Sequence, residues 1–224
     1  MKRIGVLLSG RGSNFEALAE SVSAGRIPNA EIAIVVSNQP DALGLKKAEA
    51  RGIPTRMIPS KGLQREAYDR QVAAVLQEHK VDLICLAGYM RLLGPGFLRA
   101  FGPTDGTRGC PRVMNVHPGL LPSFPGLHAQ RQALTYGARF AGCTVHFVDE
   151  GTDTGPIIAQ AVVPVLDGDG EEALSARILA EEHRLYPKAV GWFAAGRLSL
   201  EGRRVRVEGA RGPELAALRA PWDE

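Results

Sequence analysis

Cysteine is scarce in this chain. Its 224 residues include only Cys85, Cys110 and Cys143. They are odd in number, widely spaced and without any Cys-x-x-Cys or Cys/His zinc spacing, so neither a disulfide framework nor a metal site is expected, and the three read as reduced thiols. Charge of one sign is also missing. The 27 Lys and Arg against 24 Asp and Glu leave a net +3, which points to no nucleic-acid or membrane surface but leaves room for a local anion pocket. No run of eighteen apolar residues occurs, so nothing reads as a membrane span. The apolar stretch after Met1-Lys2-Arg3 stops at Ser9, too short for the core of a signal peptide. A cytoplasmic protein is the expectation. Repeats and low-complexity tracts are absent too. The composition, 45% hydrophobic and 23% charged, is that of a globular protein with a core of ordinary size.

Short β-branched runs alternating with helical stretches fill the first half. Strands are expected at 4–8, 32–36, 55–58 and 83–87, and helices at 14–24, 43–51 and 65–79, the last with Val72, Val75 and Leu76 as its apolar stripe. Strand and helix alternating at this spacing imply an α/β fold: a Rossmann-like, mostly parallel twisted sheet with helices on both faces. In the second half, 101–111 is dense in turn residues and reads as an exposed loop. A strand at 113–117 and a helix at 128–136 follow. Residues 143–148 and 157–165 read as an antiparallel hairpin with a long connection. The stretch 171–195 reads as mostly helical, with Pro187 expected to interrupt it or start a new helix. We expect halves at 1–100 and 101–200 sharing one sheet, and a peripheral tail at 201–224 made of a hairpin and a loose end.

Ser9-Gly10-Arg11-Gly12-Ser13-Asn14 sits where a parallel strand hands over to a helix. Two glycines let the backbone approach an anion, and the helix start offers free N–H groups and a positive dipole. A third glycine is missing, and Asn38 stands where an acid would hold a ribose hydroxyl, so a dinucleotide is the poorer fit and a monophosphate the better one. A second reading stands beside it: Ser13-Asn14-Phe15-Glu16 is a capping box, and Ser13 can simply cap the helix.

Asn115-Val116-His117-Pro118 closes the fifth expected strand. Residues two apart face one side of a strand, so Asn115 and His117 point into one cleft at its carboxyl end. An amide donor can stabilise an oxyanion, and an imidazole can move protons near neutral pH. Asp149, Glu150 and Asp153 are candidates for an acid that orients the imidazole. The plain alternatives are turn residues for the acids and a core histidine for His117.

With Leu86-Ala87-Gly88-Tyr89-Met90-Arg91 and Asp153-Thr154-Gly155-Pro156, these segments make four motifs in one order. From about residue 2 to residue 200 the chain resembles the phosphoribosylglycinamide formyltransferase family. The resemblance implies transfer of the formyl group of 10-formyltetrahydrofolate to the amine of glycinamide ribonucleotide in purine synthesis. It implies direct attack through a tetrahedral intermediate, with no metal. By motif, Asn115, His117 and Asp153 are the catalytic trio. Gly10, Arg11, Gly12, Ser13 and Asn14 form the segment at the substrate phosphate, with Arg65 as a further cation able to reach it, and Glu182 lies at the sugar. Met90, Arg91 and Leu92, with Asn115, Phe147, Val148, Asp149 and Asp153, line the folate pocket. The partners are small molecules, and the assembly is a monomer or homodimer. Two departures stand out: Gly119 replaces the family's usual Ser, and the loop around 104–110 is longer. Two related folate enzymes, the transferase acting on methionyl-tRNA and the formyl-folate hydrolase, share the Asn-x-His-Pro segment. Each carries an extra domain that is not expected here. A regulatory binding module would keep the glycine loop without needing the trio.

Overall fold

Along the chain, strand β1 (Lys2–Leu8) leads into helix α1 (Ser13–Ser23), then β2 (Ala30–Ser37), α2 (Leu43–Ala50), β3 (Thr55–Met57), α3 (Arg65–Glu78) and β4 (Leu83–Leu86). The second half runs α4 (Pro95–Ala100), a 3-10 turn (Asp105–Thr107), β5 (Val113–His117), α5 (Ala129–Tyr136), β6 (Phe140–Phe147), β7 (Ile157–Pro164) and α6 (Glu171–Ala194). A hairpin of β8 (Leu198–Glu201) and β9 (Arg204–Val207) follows. The computed structural model describes residues 1–210 and Ala220. The expected loose end falls largely outside the described residues, and the expected hairpin is present but begins three residues earlier, at Leu198.

Seven strands form one sheet in the order β3-β2-β1-β4-β5-β6-β7. The first five are parallel, and β6 and β7 add an antiparallel edge. Both faces are covered, which is why the inner strands read as unbroken apolar runs. Ile4, Val6 and Leu8 join the cluster under α1, α2, α5 and α6, whereas Leu7 joins the one under α3 and α4. The chain leaves β1 toward β2 and returns on its other side as β4, so a crevice opens at the carboxyl ends of β1 and β4. Ligands of open α/β sheets bind at such switch points. Among the described residues, no helix is long and apolar enough to cross a membrane.

Three local expectations need correction, and one helix was not expected. Ser13 does not cap α1: it is the first helical residue, Gly12 occupies the capping position at φ 72°, and no side chain caps the helix. A Cβ on Gly12 would lie 2.7 Å from Gly44 Cα, so α2 presses on this turn and only glycine passes through it. Glu16, freed from the box, accepts from Lys47 Nζ at 2.7 Å. Pro187 neither breaks nor restarts α6, which is continuous. The proline costs about 3 kcal/mol, but the helix buries Leu174, Ile178, Tyr186, Val190 and Phe193, each worth roughly 1.5–3 kcal/mol. The segment 101–111 is not simply an exposed loop: Phe101, Thr107 and Cys110 are buried, and Arg108 ties it to the terminal hairpin through Glu208 and the Leu200 N–H. Helix α4, started by Pro95 at its first turn and anchored by buried Phe97, was not foreseen at all.

Candidate active site

The turn after β1 is held from three sides. Ser9 Oγ donates to Asn38 Oδ1 at 2.6 Å and accepts from the Met90 N–H at 2.9 Å. The Gly44 N–H donates to the Gly10 carbonyl at 3.1 Å. Asn38, where no acid stands, is therefore a buried strut. Gly10 and Arg11 are exposed, Ser13 is half-buried and Asn14 is buried. Asn14 Nδ2 donates to Glu182 Oε2 at 2.7 Å, which joins the start of α1 to the middle of α6. Among the described residues Asn14 Oδ1 is buried without a partner, an acceptor open to a donor. Burial pushes the Glu182 carboxyl up to about 7, against the lowering pull of the Asn14 amide.

At the carboxyl end of β5 the expected trio converges. The antiparallel register sets Asn115 opposite His146 and His117 opposite Thr144. His117 Nδ1 lies 3.3 Å from Asp153 Oδ2, and its Nε2 lies 2.9 Å from the Phe124 carbonyl. A carbonyl only accepts, so Nε2 carries a proton in this arrangement. Asp153 sits in the β6–β7 connection with φ 55°, a conformation costly for a non-glycine residue. It is held there by the Gly126 N–H, which donates to Oδ2 at 2.8 Å. Asp149 Oδ1 braces the same loop by accepting from the Gly151 N–H and Thr154 Oγ1, and Arg203 of the terminal hairpin donates to the Thr154 carbonyl at 2.6 Å. Asp149 is thus a loop brace, exposed Glu150 stands outside these contacts, and Asp153 is the acid that meets His117. A hollow of about 310 Å³ opens beside Asp153 and Leu121.

Gly119 acts on His117 through space. A Cβ there would lie 2.9 Å from His117 Nε2 and 3.3 Å from Ala129 Cβ. The present seat of the ring, with Nε2 on the Phe124 carbonyl, depends on glycine.

The remaining expected residues separate into those on the surface of the cleft and those that are not. Met90 and Leu92 are exposed apolar side chains at the end of β4. Arg91 stacks 4.5 Å over the Tyr68 ring, and its Nε is buried without a partner among the described residues. Val148 and Asp149 are half-buried next to Asn115's strand. Such a set, apolar surface plus an unsatisfied guanidinium donor, fits a flat ring system bearing carboxylates. Phe147 does not belong to it. Its side chain is fully buried in the cluster on the opposite face of the sheet, because it alternates with His146 along β6. Arg65 stands at the first turn of α3 beside Gly94 and Asp69, which groups it with Arg91 rather than with residues 10–14.

One polar side chain beside these residues escaped the sequence reading. His146 lies within hydrogen-bond reach of Asn115 at 3.3 Å and 3.7 Å from Asp153 Oδ1. Its only signal was its place in a β-rich run, and the β5–β6 register that brings it to Asn115 is not written locally. Among the described residues, no group of three or more His, Cys, Asp or Glu gathers to hold a metal ion.

Residues 2–190 match the model of the formyl transferase family. The chain is 41% identical to the phosphoribosylglycinamide formyltransferase of Escherichia coli (strain K12), covering 93% of this chain and 94% of that protein. It is 47% identical over 88% of its length to the trifunctional purine biosynthetic protein adenosine-3 of Drosophila pseudoobscura pseudoobscura, of which it spans only 14%. The crystal structure of glycinamide ribonucleotide transformylase 1 from Symbiobacterium toebii is similar at a TM-score of 0.87 and 52% identity, covering 93% of this chain and 94% of that one.

Proposed function

The chain belongs to the formyl transferase family, and we propose that it transfers the formyl group of 10-formyltetrahydrofolate to the amine of glycinamide ribonucleotide, a step of de novo purine biosynthesis. The observation that supports this reading is Asp153, from the β6–β7 connection, lying 3.3 Å from His117 on the strand that also carries Asn115, whose amide is 3.3 Å from His146.

Each group has work that fits its geometry. The free backbone N–H groups of the first turn of α1, at Ser13 and Asn14, face a phosphate with the favourable end of the helix dipole. Asn14 Oδ1 and Glu182 offer acceptors to the hydroxyls of a sugar. Met90, Leu92 and Val148 supply apolar surface for the folate ring, and Arg91 and Arg65 supply cations for its carboxylates. Asn115 presents an amide N–H to the formyl oxygen as negative charge develops there. His117, backed by Asp153, supplies the second donor after releasing the Phe124 carbonyl. Donors of this kind are typically worth roughly 3–4 kcal/mol, or about 10²–10³ in rate. Asp153, alone or through water, can also carry the proton from the attacking amine toward the departing folate nitrogen. No cysteine is needed as a nucleophile: all three thiols are buried, and burial pushes Cys85 and Cys143 up to about 12. Free thiols also suit a reducing cytoplasm. In this scheme residues 1–100 chiefly hold the ribonucleotide, and residues 101–200 complete the folate site and the chemistry.

Consumption of formyl-folate, measured with and without glycinamide ribonucleotide, tests the reading. Formylated ribonucleotide forming only when both are present is expected. Formate released without the ribonucleotide would mean a hydrolase, and no consumption under either condition would leave a binding module.

A further inference from the structure

We propose that His146, as a neutral hydrogen-bond acceptor, is the positioning residue that turns the Asn115 amide so that its nitrogen faces inward to β6 and its remaining N–H faces the cleft. His146 Nδ1 lies 2.8 Å from the Phe147 carbonyl. A carbonyl only accepts, so Nδ1 carries the proton. A neutral imidazole has one N–H, so Nε2 is a bare lone pair. Asn115 Nδ2, 3.3 Å away, donates to it. Were the amide flipped, Asn115 Oδ1 would face that lone pair, acceptor against acceptor, inside a site where His146 is 2% exposed. The tautomer, set by one backbone carbonyl, thereby fixes which atom of Asn115 meets the substrate.

The same logic defines when the device fails. A proton on Nε2 would set donor against donor at Asn115. It would also offer a new N–H to Asp153 Oδ1, now 3.7 Å away, in competition with His117. The titratable groups facing His146 are His117 from β5 and Asp153 and Asp149 from the β6–β7 connection, while β7 sets Ile157 opposite it. Burial is the largest influence and, with the His117 charge, pulls the imidazole below its ordinary value. The Phe147 carbonyl and the two carboxylates pull the other way without reversing it. Neutral His146 is therefore the working form at pH 7.

The inference rests on Asn115 serving as a donor to the formyl oxygen, so the test has one arm that does not need activity. Nitrogen NMR of the ring should show Nδ1 protonated and Nε2 bare in the wild-type protein at pH 7; the opposite tautomer overturns the proposal whether or not the protein transfers formyl groups. In kinetics, His146→Leu should lower kcat by about 10–100-fold with KM nearly unchanged. His146→Gln, which keeps an acceptor without a titrating group, should recover most of that loss and lose an ionisation from the acid side of the kcat–pH profile. In an Asn115→Ala background, His146→Leu should cost almost nothing further, because the group it orients is gone. An equal loss in both backgrounds would reduce His146 to a packing residue. If wild-type protein transfers no formyl group, the proposed function fails while the tautomer still reports on His146 alone.

Discussion

His117 and Asn115 illustrate how much chemistry two positions on one strand can hold. Their common orientation follows from the period of two along β5, but their partners come from elsewhere: Asp153 and Phe124 from connections, His146 from the next strand. Truncating either should remove charge stabilisation that exists only as the reaction proceeds. His117→Ala and Asn115→Ala should therefore each lower kcat by about 10²–10³ while leaving both KM values within a few-fold; near-normal turnover in the His117 variant would count against the mechanism. Asn14 differs, since its buried oxygen has no partner among the described residues and the proposed function assigns it to the ribonucleotide. Asn14→Ala should raise KM for that substrate about tenfold, the worth of roughly one hydrogen bond, with kcat largely kept. The Asn–His pair was legible in the sequence because neighbours two apart share a face. His146 was not, because no local pattern states which residue of β6 lies across from Asn115.

Helix α6 determines how firmly the sheet supports these side chains. Tyr186 is fully buried, and its hydroxyl sits 3.1 Å from the Leu86 carbonyl and 3.0 Å from that of Met114. It thus ties the helix to β4, which leads to Met90, and to β5, which carries the Asn–His pair. Tyr186→Phe keeps the ring and removes the single O–H that the two carbonyls share. The expected cost is about 1–2 kcal/mol, read as a lower denaturation midpoint in urea with an unchanged slope. A larger slope change would instead mean that the helix had loosened as a whole. The helix itself was expected over 171–195. Its continuity through Pro187 was not, because the burial that outweighs the proline belongs to the sheet beneath it. The turn before α1 carries the same lesson: Ser13-x-x-Glu16 reads as a cap until α2 is seen pressing on Gly12.

Across the molecule as a whole, the buried carboxyl of Glu182, hydrogen-bonded to Asn14, makes folding depend on pH. Its folded value is about 7, raised from 4.5 by burial. A raised carboxyl favours the folded state most when both states hold the proton, below about pH 4.5. As pH rises past that point the unfolded chain releases its proton first, and stability falls until the folded state also ionises near 7. The drop is on the order of 3 kcal/mol. Glu182→Gln keeps an acceptor for Asn14 and removes the titration. Relative to wild type, it should gain on the order of 3 kcal/mol more at pH 8 than at pH 4.5, measured by urea unfolding at both. An equal shift at the two pH values would show that Glu182 does not titrate in this range. Under the proposed function its affinity for the ribonucleotide should fall, since the amide replaces one acceptor oxygen of the carboxyl group with a donor.

Alternating strands and helices, the glycines after β1 and the spacing of Asn115 and His117 were readable in the amino-acid order because each depends on residues within a turn or a pleat of one another. The parallel sheet with its antiparallel edge followed from the same local periods. What required the folded chain was every contact between distant segments: Asn14 meeting Glu182 across 168 residues, Asp153 closing on His117, His146 lying across from Asn115, and Phe147 turning away into the core. Local propensities act over a few residues. Register, loop closure and helix docking are settled by the packing of the whole core, and it is packing that assembles the site.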